Sequence, residues 1–354
     1  MNKKARIAEI EIVRVFAALA IMLFHMNILP GGQLAVEIFA VLSGLLMARS
    51  VTSMPEECKN DIIGATYRFV ARKIRAFYPE LIVATLIGVV CFNYAKVSLA
   101  ESLNYIFASL TGNLLLLKMS GFSWCAGGAC PPSWYLSSMI ISMILICPFL
   151  LKVKKLYFFL APGVGLFLYL YFNFDGVEKS SYQDWLGFTY GGNIRVCSEL
   201  LIAIGAYPIV RYLGKCTRES VKLRIVSNAC KWGSLTGILV LLFKENGYTD
   251  LLFLILVVTY FICLFSESSA TDGNFLRSRN SLLRYCGVGS IAIFLTHFPA
   301  LMISGGISKR FDINAIEWVV LSFIVTSLFS LVTIYGGRRI RQMVSRTRSE
   351  NRAI

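Results

Sequence analysis

The stretch IEIVRVFAALAIMLFHMNIL, residues 10–29, decides the fold of this chain. Its length matches the roughly 20 residues that an α-helix needs to cross a bilayer. Similar apolar runs recur along all 354 residues, which have a mean hydropathy of +0.66 and only 16% charged side chains. The runs are continuous rather than alternating, which favours helices over barrel strands. We therefore predict an all-α polytopic membrane protein.

Hydropathy predicts about ten transmembrane helices. They cover residues 10–29, 34–51, 77–95, 133–151, 156–173, 193–213, 226–243, 251–266, 286–305 and 317–336. The segment Ser102–Lys118 is also apolar, but counting it as a span would place Lys152, Lys154 and Lys155 on the outer side. We interpret this segment as re-entrant or interfacial. A cleaved signal peptide at residues 1–29 is the alternative for the first span, although no clear cleavage site follows it.

The net charge of +15 indicates topology rather than nucleic-acid binding. With the amino terminus inside, 27 of the 35 Lys and Arg residues lie on the inner side. The positive-inside rule then predicts that both termini are cytoplasmic. No loop is long enough to fold alone. We predict a single transmembrane domain over residues 1–337 and a basic cytoplasmic tail over residues 338–354, which we interpret as an inner-leaflet anchor.

The cysteines predict no metal site, because the sequence contains no CxxC pair and no His/Cys cluster with zinc spacing. Cys125 and Cys130 share the predicted outer loop Gly121–Ser133. They can form a disulfide if the outer compartment is oxidising. The sequence leaves this question open.

Three ionisable residues share one face of the first predicted helix. Glu11 precedes Arg14 by one turn, and His25 follows Arg14 by eleven residues, or roughly 16 Å. The spacing predicts a polar stripe that runs from the cytoplasmic end towards the outer half of the membrane. An ionisable residue inside a membrane is a functional candidate by default. The alternative for Glu11 and Arg14 is a structural ion pair near the interface.

The chain has only two histidines, and the second, His297, lies in SIAIFLTHFPAL, residues 290–301. It lies eleven residues into a predicted outward-running span, so its depth can match that of His25. We expect both rings to be buried. A hydrogen-bonded core histidine is the structural alternative.

Arg72, Lys73 and Arg75 stand just before Tyr78 and Pro79, at the predicted inner start of the third span. Arg72 and Arg75 are spaced i, i+3, so their guanidinium groups lie side by side on a helix. Guanidinium groups bind phosphate oxygens bidentately. Positive-inside anchoring is the alternative.

The second span contributes Glu37 near its outer end, in apolar surroundings. Ser43 and Gly44, within FAVLSGL (residues 39–45), permit close helix packing. Arg195, at the outer start of the sixth span, can pair with Glu37, but the sequence alone does not pair them.

Taken together, these residues resemble the acyltransferase family 3 of integral membrane proteins, which modify cell-surface carbohydrates. In the first half of the chain, the matching positions are the acidic-x-x-Arg and histidine pattern of Glu11, Arg14 and His25, the FFxLSG-like segment with Glu37, and the Arg-x-x-Arg pair Arg72 and Arg75. Further along, they are the Trp-x-Leu segment at Trp134, the mid-chain Arg195, and the SYxxYLxHxP-like signature with His297. The resemblance runs in order along essentially the whole chain. One departure is Met139, where many members have a glutamate. No hydrolase-like domain follows the last span, so we expect a stand-alone member.

The resemblance implies transfer of an acyl group, usually acetyl, from cytoplasmic acetyl-CoA to a hydroxyl of a glycan or lipid-linked sugar. Under this hypothesis Arg72, Arg75 and Lys73 hold the CoA phosphates, and Arg14 lines the route of the thioester. His25 is the general base or takes the acyl group itself, since the pKa of imidazole is near neutrality. The secondary roles are that Glu11 orients Arg14, that His297 binds the acceptor or polarises the thioester carbonyl, and that Glu37, Arg195 and Trp134 bind substrate.

Two other classes of function remain open at this stage. A transporter or flippase for a carbohydrate or lipid-linked intermediate would also need many spans and an intramembrane polar path. A membrane sensor or scaffold would give the histidines no special purpose. The acyltransferase interpretation places the chain in a bacterial inner membrane, in contact with lipids. It leaves open the acceptor, the acylated position, the acyl chain and the oligomeric state.

Overall fold

A computed structural model of the protein describes residues 6–94, 99–125, 128–174, 182–244, 249–270, 277–278 and 281–350. These residues form twelve α-helices: α1 (Ala8–His25), α2 (Ala35–Thr52), α3 (Glu57–Asn60), α4 (Ile62–Tyr94), α5 (Leu99–Ala108), α6 (Ser133–Lys152), α7 (Lys154–Phe174), α8 (Gly191–Glu219), α9 (Val221–Leu242), α10 (Thr249–Ala270), α11 (Ser281–Phe311) and α12 (Ala315–Glu350). A π-helix (Ser109–Leu114) continues α5, and 3-10 turns occupy Gly32–Leu34 and Ser123–Cys125. Two short strands, β1 (Arg6–Ile7) and β2 (Arg277–Ser278), pair antiparallel.

Each of the ten predicted spans coincides with one of these helices. Seven helices within the described ranges are long and apolar enough to cross a membrane: α2, α4, α6, α8, α9, α11 and α12. The apolar parts of α7 and α10 are shorter, at Phe158–Tyr171 and Asp250–Ser266. In α1 the apolar run is interrupted by Glu9, Glu11 and Arg14. The all-α polytopic fold is therefore confirmed, whereas the cytoplasmic location of both termini stays a prediction.

The first compact unit comprises Met1–Val70 and Ser138–Cys286. Helix α8 is its centre and packs on α2, α7 and α10, while α10 also packs on α9. Gly44 of α2 permits the close approach to α8, because a Cβ there would lie 2.7 Å from Ala203 Cβ and 2.8 Å from the Leu200 carbonyl oxygen. The predicted close helix packing at this glycine is confirmed.

The second compact unit comprises Ala71–Ser137 and Gly287–Ile354. Buried hydroxyl pairs connect α11 to α12, with Thr296 Oγ1 3.1 Å from Ser330 Oγ and Ser304 Oγ 2.8 Å from Ser322 Oγ. Helix α12 has 36 residues, a length of about 54 Å. It is therefore longer than the ~30 Å hydrocarbon core of a bilayer.

The segment Ser102–Lys118 falls on α5 and the π-helix that follows it. These two elements together are shorter than the ~20 residues of a spanning helix, and the interfacial interpretation stays a prediction. Lys118, the last residue of this segment, is buried with 3% exposure. Burial lowers the pKa of its amine to about 8.

Cys125 and Cys130 are free thiols in the structure, and both are fully buried. The Sγ of Cys130 donates to the Leu295 carbonyl oxygen at 3.5 Å. Burial raises the pKa of the Cys130 thiol to about 12, so this thiol is protonated at neutral pH. The structure therefore contains no disulfide between these two residues.

Candidate functional site

The polar stripe of α1 is present on a continuous helix. Arg14 Nη1 donates to Glu11 Oε2 at 3.1 Å, forming an i, i+3 ion pair. His25 is the last residue of α1, and its ring contacts Phe24 edge-on with the centroids 5.2 Å apart. The expectation that this ring is buried is wrong, because the helix ends at His25 and leaves the side chain exposed.

A buried group of charged and polar side chains joins α2, α7 and α8. We call Glu37, Tyr169, Arg195 and Glu199 the charge cluster. Arg195 Nη2 lies 3.5 Å from Glu37 Oε1, and Arg195 Nε donates to Glu199 Oε1 at 3.1 Å. Tyr169 donates its hydroxyl hydrogen to Glu37 Oε1 at 3.0 Å. The structure thus confirms that Arg195 is the partner of Glu37.

The charge cluster has an excess of carboxylates over guanidinium groups. Glu37 and Glu199 are 1% and 0% exposed, and Arg195 is their shared cation. Among the described residues, neither Glu37 Oε2 nor Glu199 Oε2 has a hydrogen-bond partner. Buried carboxylate oxygens without donors are costly. These two oxygens can accept hydrogen bonds from hydroxyl groups.

Arg72, Lys73 and Arg75 lie inside α4 rather than at the start of a helix, because α4 begins at Ile62. Arg72 and Arg75 are exposed. Within the described part of the chain, neither guanidinium has an ion-pair or hydrogen-bond partner. Their i, i+3 spacing places both on one side of the helix. Such a pair is suited to binding a phosphate group.

His297 and Trp134 are both buried, with exposures of 0% and 7%. His297 Nδ1 lies 3.3 Å from the Ile293 carbonyl oxygen one turn earlier in α11. An aromatic chain runs alongside, with Tyr135 edge-on to Phe294 and Phe294 6.3 Å from the His297 ring. The expected burial of His297 is therefore confirmed, and its catalytic role stays a prediction.

The predicted site residues fall into both compact units. Glu11, Arg14, His25, Glu37 and Arg195 belong to the first unit, and Arg72, Lys73, Arg75, Trp134 and His297 belong to the second. Within the ranges that the structure describes, no three His, Cys, Asp or Glu side chains form a group that could hold a metal ion.

The sequence analysis missed Tyr169 and Glu199 of the charge cluster. Glu199 follows Arg195 by four residues, so the i, i+4 spacing was a usable signal. The sequence contains no comparable signal for Tyr169, because it is one of several aromatic residues in an apolar run. Only the packing of α7 on α8 distinguishes it from the others.

Ionisable side chains buried among membrane helices are typical of the functional sites of integral membrane enzymes and transporters. Residues 7–335 match the family described as "Acyltransferase domain". The chain belongs to this acyltransferase family, as its motifs predict.

A curated relative is "Putative peptidoglycan O-acetyltransferase YrhL" of Bacillus subtilis (strain 168). It is 25% identical to this chain over 342 residues, which cover 90% of this chain and 52% of the relative. The chain therefore spans about half the length of this relative. No solved structure matches the chain significantly.

Proposed function

We propose that this protein transfers an acyl group, most simply acetyl, from cytoplasmic acyl-CoA to a hydroxyl of a cell-surface polysaccharide, lipopolysaccharide or lipid-linked sugar. The observation that carries the proposal is the family match over residues 7–335, which takes in every site residue predicted from the sequence. The Bacillus relative, whose name states peptidoglycan O-acetylation, supports a carbohydrate acceptor and a bacterial membrane.

The donor half of the proposal rests on Arg72 and Arg75. Arg72 and Arg75 are exposed, lie side by side on α4 and have no partner among the residues that the structure describes, so their guanidinium groups are suited to the phosphates of acyl-CoA. Lys73 adds a third positive charge between them in the sequence. The thioester lies at the other end of the pantetheine arm of this donor. Arg14, oriented by Glu11, is the residue we assign to that thioester.

The acceptor half rests on the charge cluster. Glu37 Oε2 and Glu199 Oε2 have no donors among the described residues, and sugar hydroxyls are donors. Arg195 holds both carboxylates in place through its ion-pair contacts, and Tyr169 fixes the orientation of Glu37 through its hydrogen bond. Trp134 is a further candidate for substrate binding, and we assign His297 to the acceptor or to the thioester carbonyl.

His25 supplies the proton transfer in this proposal. The acceptor oxygen forms a bond to the acyl carbon as the carbon–sulfur bond of the thioester breaks. The imidazole takes the proton of the attacking hydroxyl and returns it to the departing CoA thiolate. The products are an ester and CoA thiol, with no net proton change. The exposed position of the ring at the end of α1 fits this role.

The test is to replace His25 with Gln and follow radiolabel from acetyl-CoA onto envelope glycan, at equal membrane abundance of the protein. We expect a loss of about 10² to 10⁴, the usual contribution of a general base. Ile12→Leu, at an exposed position of the same helix, is the control and should retain most of the activity. Activity of His25→Gln within a few fold of the unmodified protein would remove His25 from the chemistry. Absence of label with the unmodified protein would favour a transporter.

A further inference from the structure

The second unit contains a buried ion pair between α4 and α12 that no sequence motif indicated. Arg341 of α12 donates from Nη2 to Glu80 Oε2 and, at 3.4 Å, to the Ala76 carbonyl oxygen of α4. Gly337 lies close to this pair, because a Cβ there would lie 2.9 Å from Glu80 Oε1. The carboxy-terminal part of α12 is therefore held directly against α4.

The Glu80–Arg341 pair fixes one guanidinium while leaving most of its donors available. The Glu80 side chain is 1% exposed, whereas that of Arg341 is 36% exposed. A buried carboxylate that lacks its cation is strongly unfavourable, so Glu80 restrains the position of Arg341. Of the five N–H donors of Arg341, those on Nε and Nη1 have no partner among the described residues.

This guanidinium contacts α4 at Ala76, which is close in sequence to the Arg-x-x-Arg pair. Ala76 directly follows Arg75 and lies four residues, or about 6 Å, beyond Arg72 along the same helix. One segment of α4, residues 72–80, thus carries two guanidinium groups of its own and contacts a third. Within the described residues, the ion pair between Arg341 and Glu80 is the one that these three guanidinium groups form. Clustered like charges repel each other unless an anion compensates them. Several phosphate groups on one ligand would provide that compensation.

We propose that Arg341 is a third phosphate-binding residue of the acyl-donor site and that Glu80 is its positioning residue. This inference rests on the proposed function. It extends the donor site from α4 to α12, at a position six residues beyond the matched family region, which ends at residue 335. The ligand class is a nucleotide thioester with more than one phosphate, because three guanidinium groups exceed what a single phosphate needs.

The test measures acetyl transfer and CoA binding by the full chain in nanodiscs of neutral lipid. Two donors are compared, acetyl-CoA and S-acetyl-pantetheine, which has no nucleotide phosphates. Arg341→Met should raise the Kd and KM for acetyl-CoA by roughly tenfold to hundredfold and leave the kinetics with S-acetyl-pantetheine unchanged. Glu80→Gln should act in the same direction with a smaller effect. Arg339→Met removes the same charge from α12 at a residue that contacts Tyr335 of its own helix, and it should stay within about twofold of the unmodified protein.

Four results would overturn the inference. An equal effect of Arg341→Met on both donors would make the pair purely structural. An effect that appears only when anionic lipid is added would make the ligand a lipid headgroup. Unchanged CoA affinity in Arg341→Met, with acetyl transfer intact, would refute the role of Arg341 and leave the proposed function standing. Failure of the unmodified protein to bind CoA would refute both the role of Arg341 and the proposed function. If Arg341→Met does not fold, Glu80→Gln/Arg341→Met removes the buried charge together with its partner and gives the same readout.

Discussion

Replacing Arg195 with Met tests whether the charge cluster is held together by its single guanidinium. In the structure Arg195 lies 3.5 Å from Glu37 and 3.1 Å from Glu199. At an effective dielectric constant of about 20, each of these contacts is worth about 5 kcal/mol of attraction. Desolvation of the three charges offsets most of that gain, and removal of one partner of a buried pair costs about 3–5 kcal/mol. We therefore expect Arg195→Met to lower the free energy of unfolding by that amount.

The assay is unfolding of the purified protein in detergent, followed by tryptophan fluorescence against denaturant or temperature. The double variant Glu199→Gln/Arg195→Met should recover part of the lost stability, because it neutralises one of the two orphaned carboxylates. Arg211→Met removes an exposed guanidinium from the same helix and should change stability by less than about 0.5 kcal/mol. The reasoning is refuted if Arg195→Met costs no more than Arg211→Met, or if the double variant is no more stable than Arg195→Met.

Two further predictions concern the buried lysine and the tight helix contact. Lys118 has a pKa of about 8 when folded and about 10.4 when unfolded, so the unfolded state holds more protons between these values and stability rises with pH. We expect a gain of about 2 kcal/mol between pH 7 and 9.5 that Lys118→Met abolishes; an identical pH profile in both proteins would contradict this. Gly44→Val should cost about 1–3 kcal/mol, because its Cβ would press on Ala203 and the Leu200 carbonyl. Thermal unfolding measures this loss, and a midpoint equal to that of the unmodified protein would show that α2 can move away from α8.

The sequence predicts the elements of this fold well because hydrocarbon imposes one simple requirement. A spanning segment must be apolar, helical and about 20 residues long, so each of the ten spans could be located. The full length of α4 could not be predicted, because nothing in the apolar run at residues 77–95 shows that the helix already begins at Ile62.

The individual site residues were accessible from the sequence, whereas their partners were not. Spacing along one helix predicted that Glu11 and Arg14 could pair, and the structure contains that pair. Glu37 and Arg195 lie on different helices, and only the packing of α2 on α8 brings them together. The burial of Lys118 was not predicted, because a lysine in a loop is normally solvated. The exposure of His25 was not predicted either, because the apolar run continues past the residue where α1 ends.

The Glu80–Arg341 contact has a practical consequence for any shortened form of this protein. A chain cut where the family match stops, at residue 335, would retain the acidic member of the pair and discard its basic member. The last helix would lose its glycine contact with α4 and its electrostatic attachment in the same cut. Such a fragment could therefore be inactive for a reason unrelated to catalysis, and the carboxy-terminal boundary for expression belongs beyond Arg341.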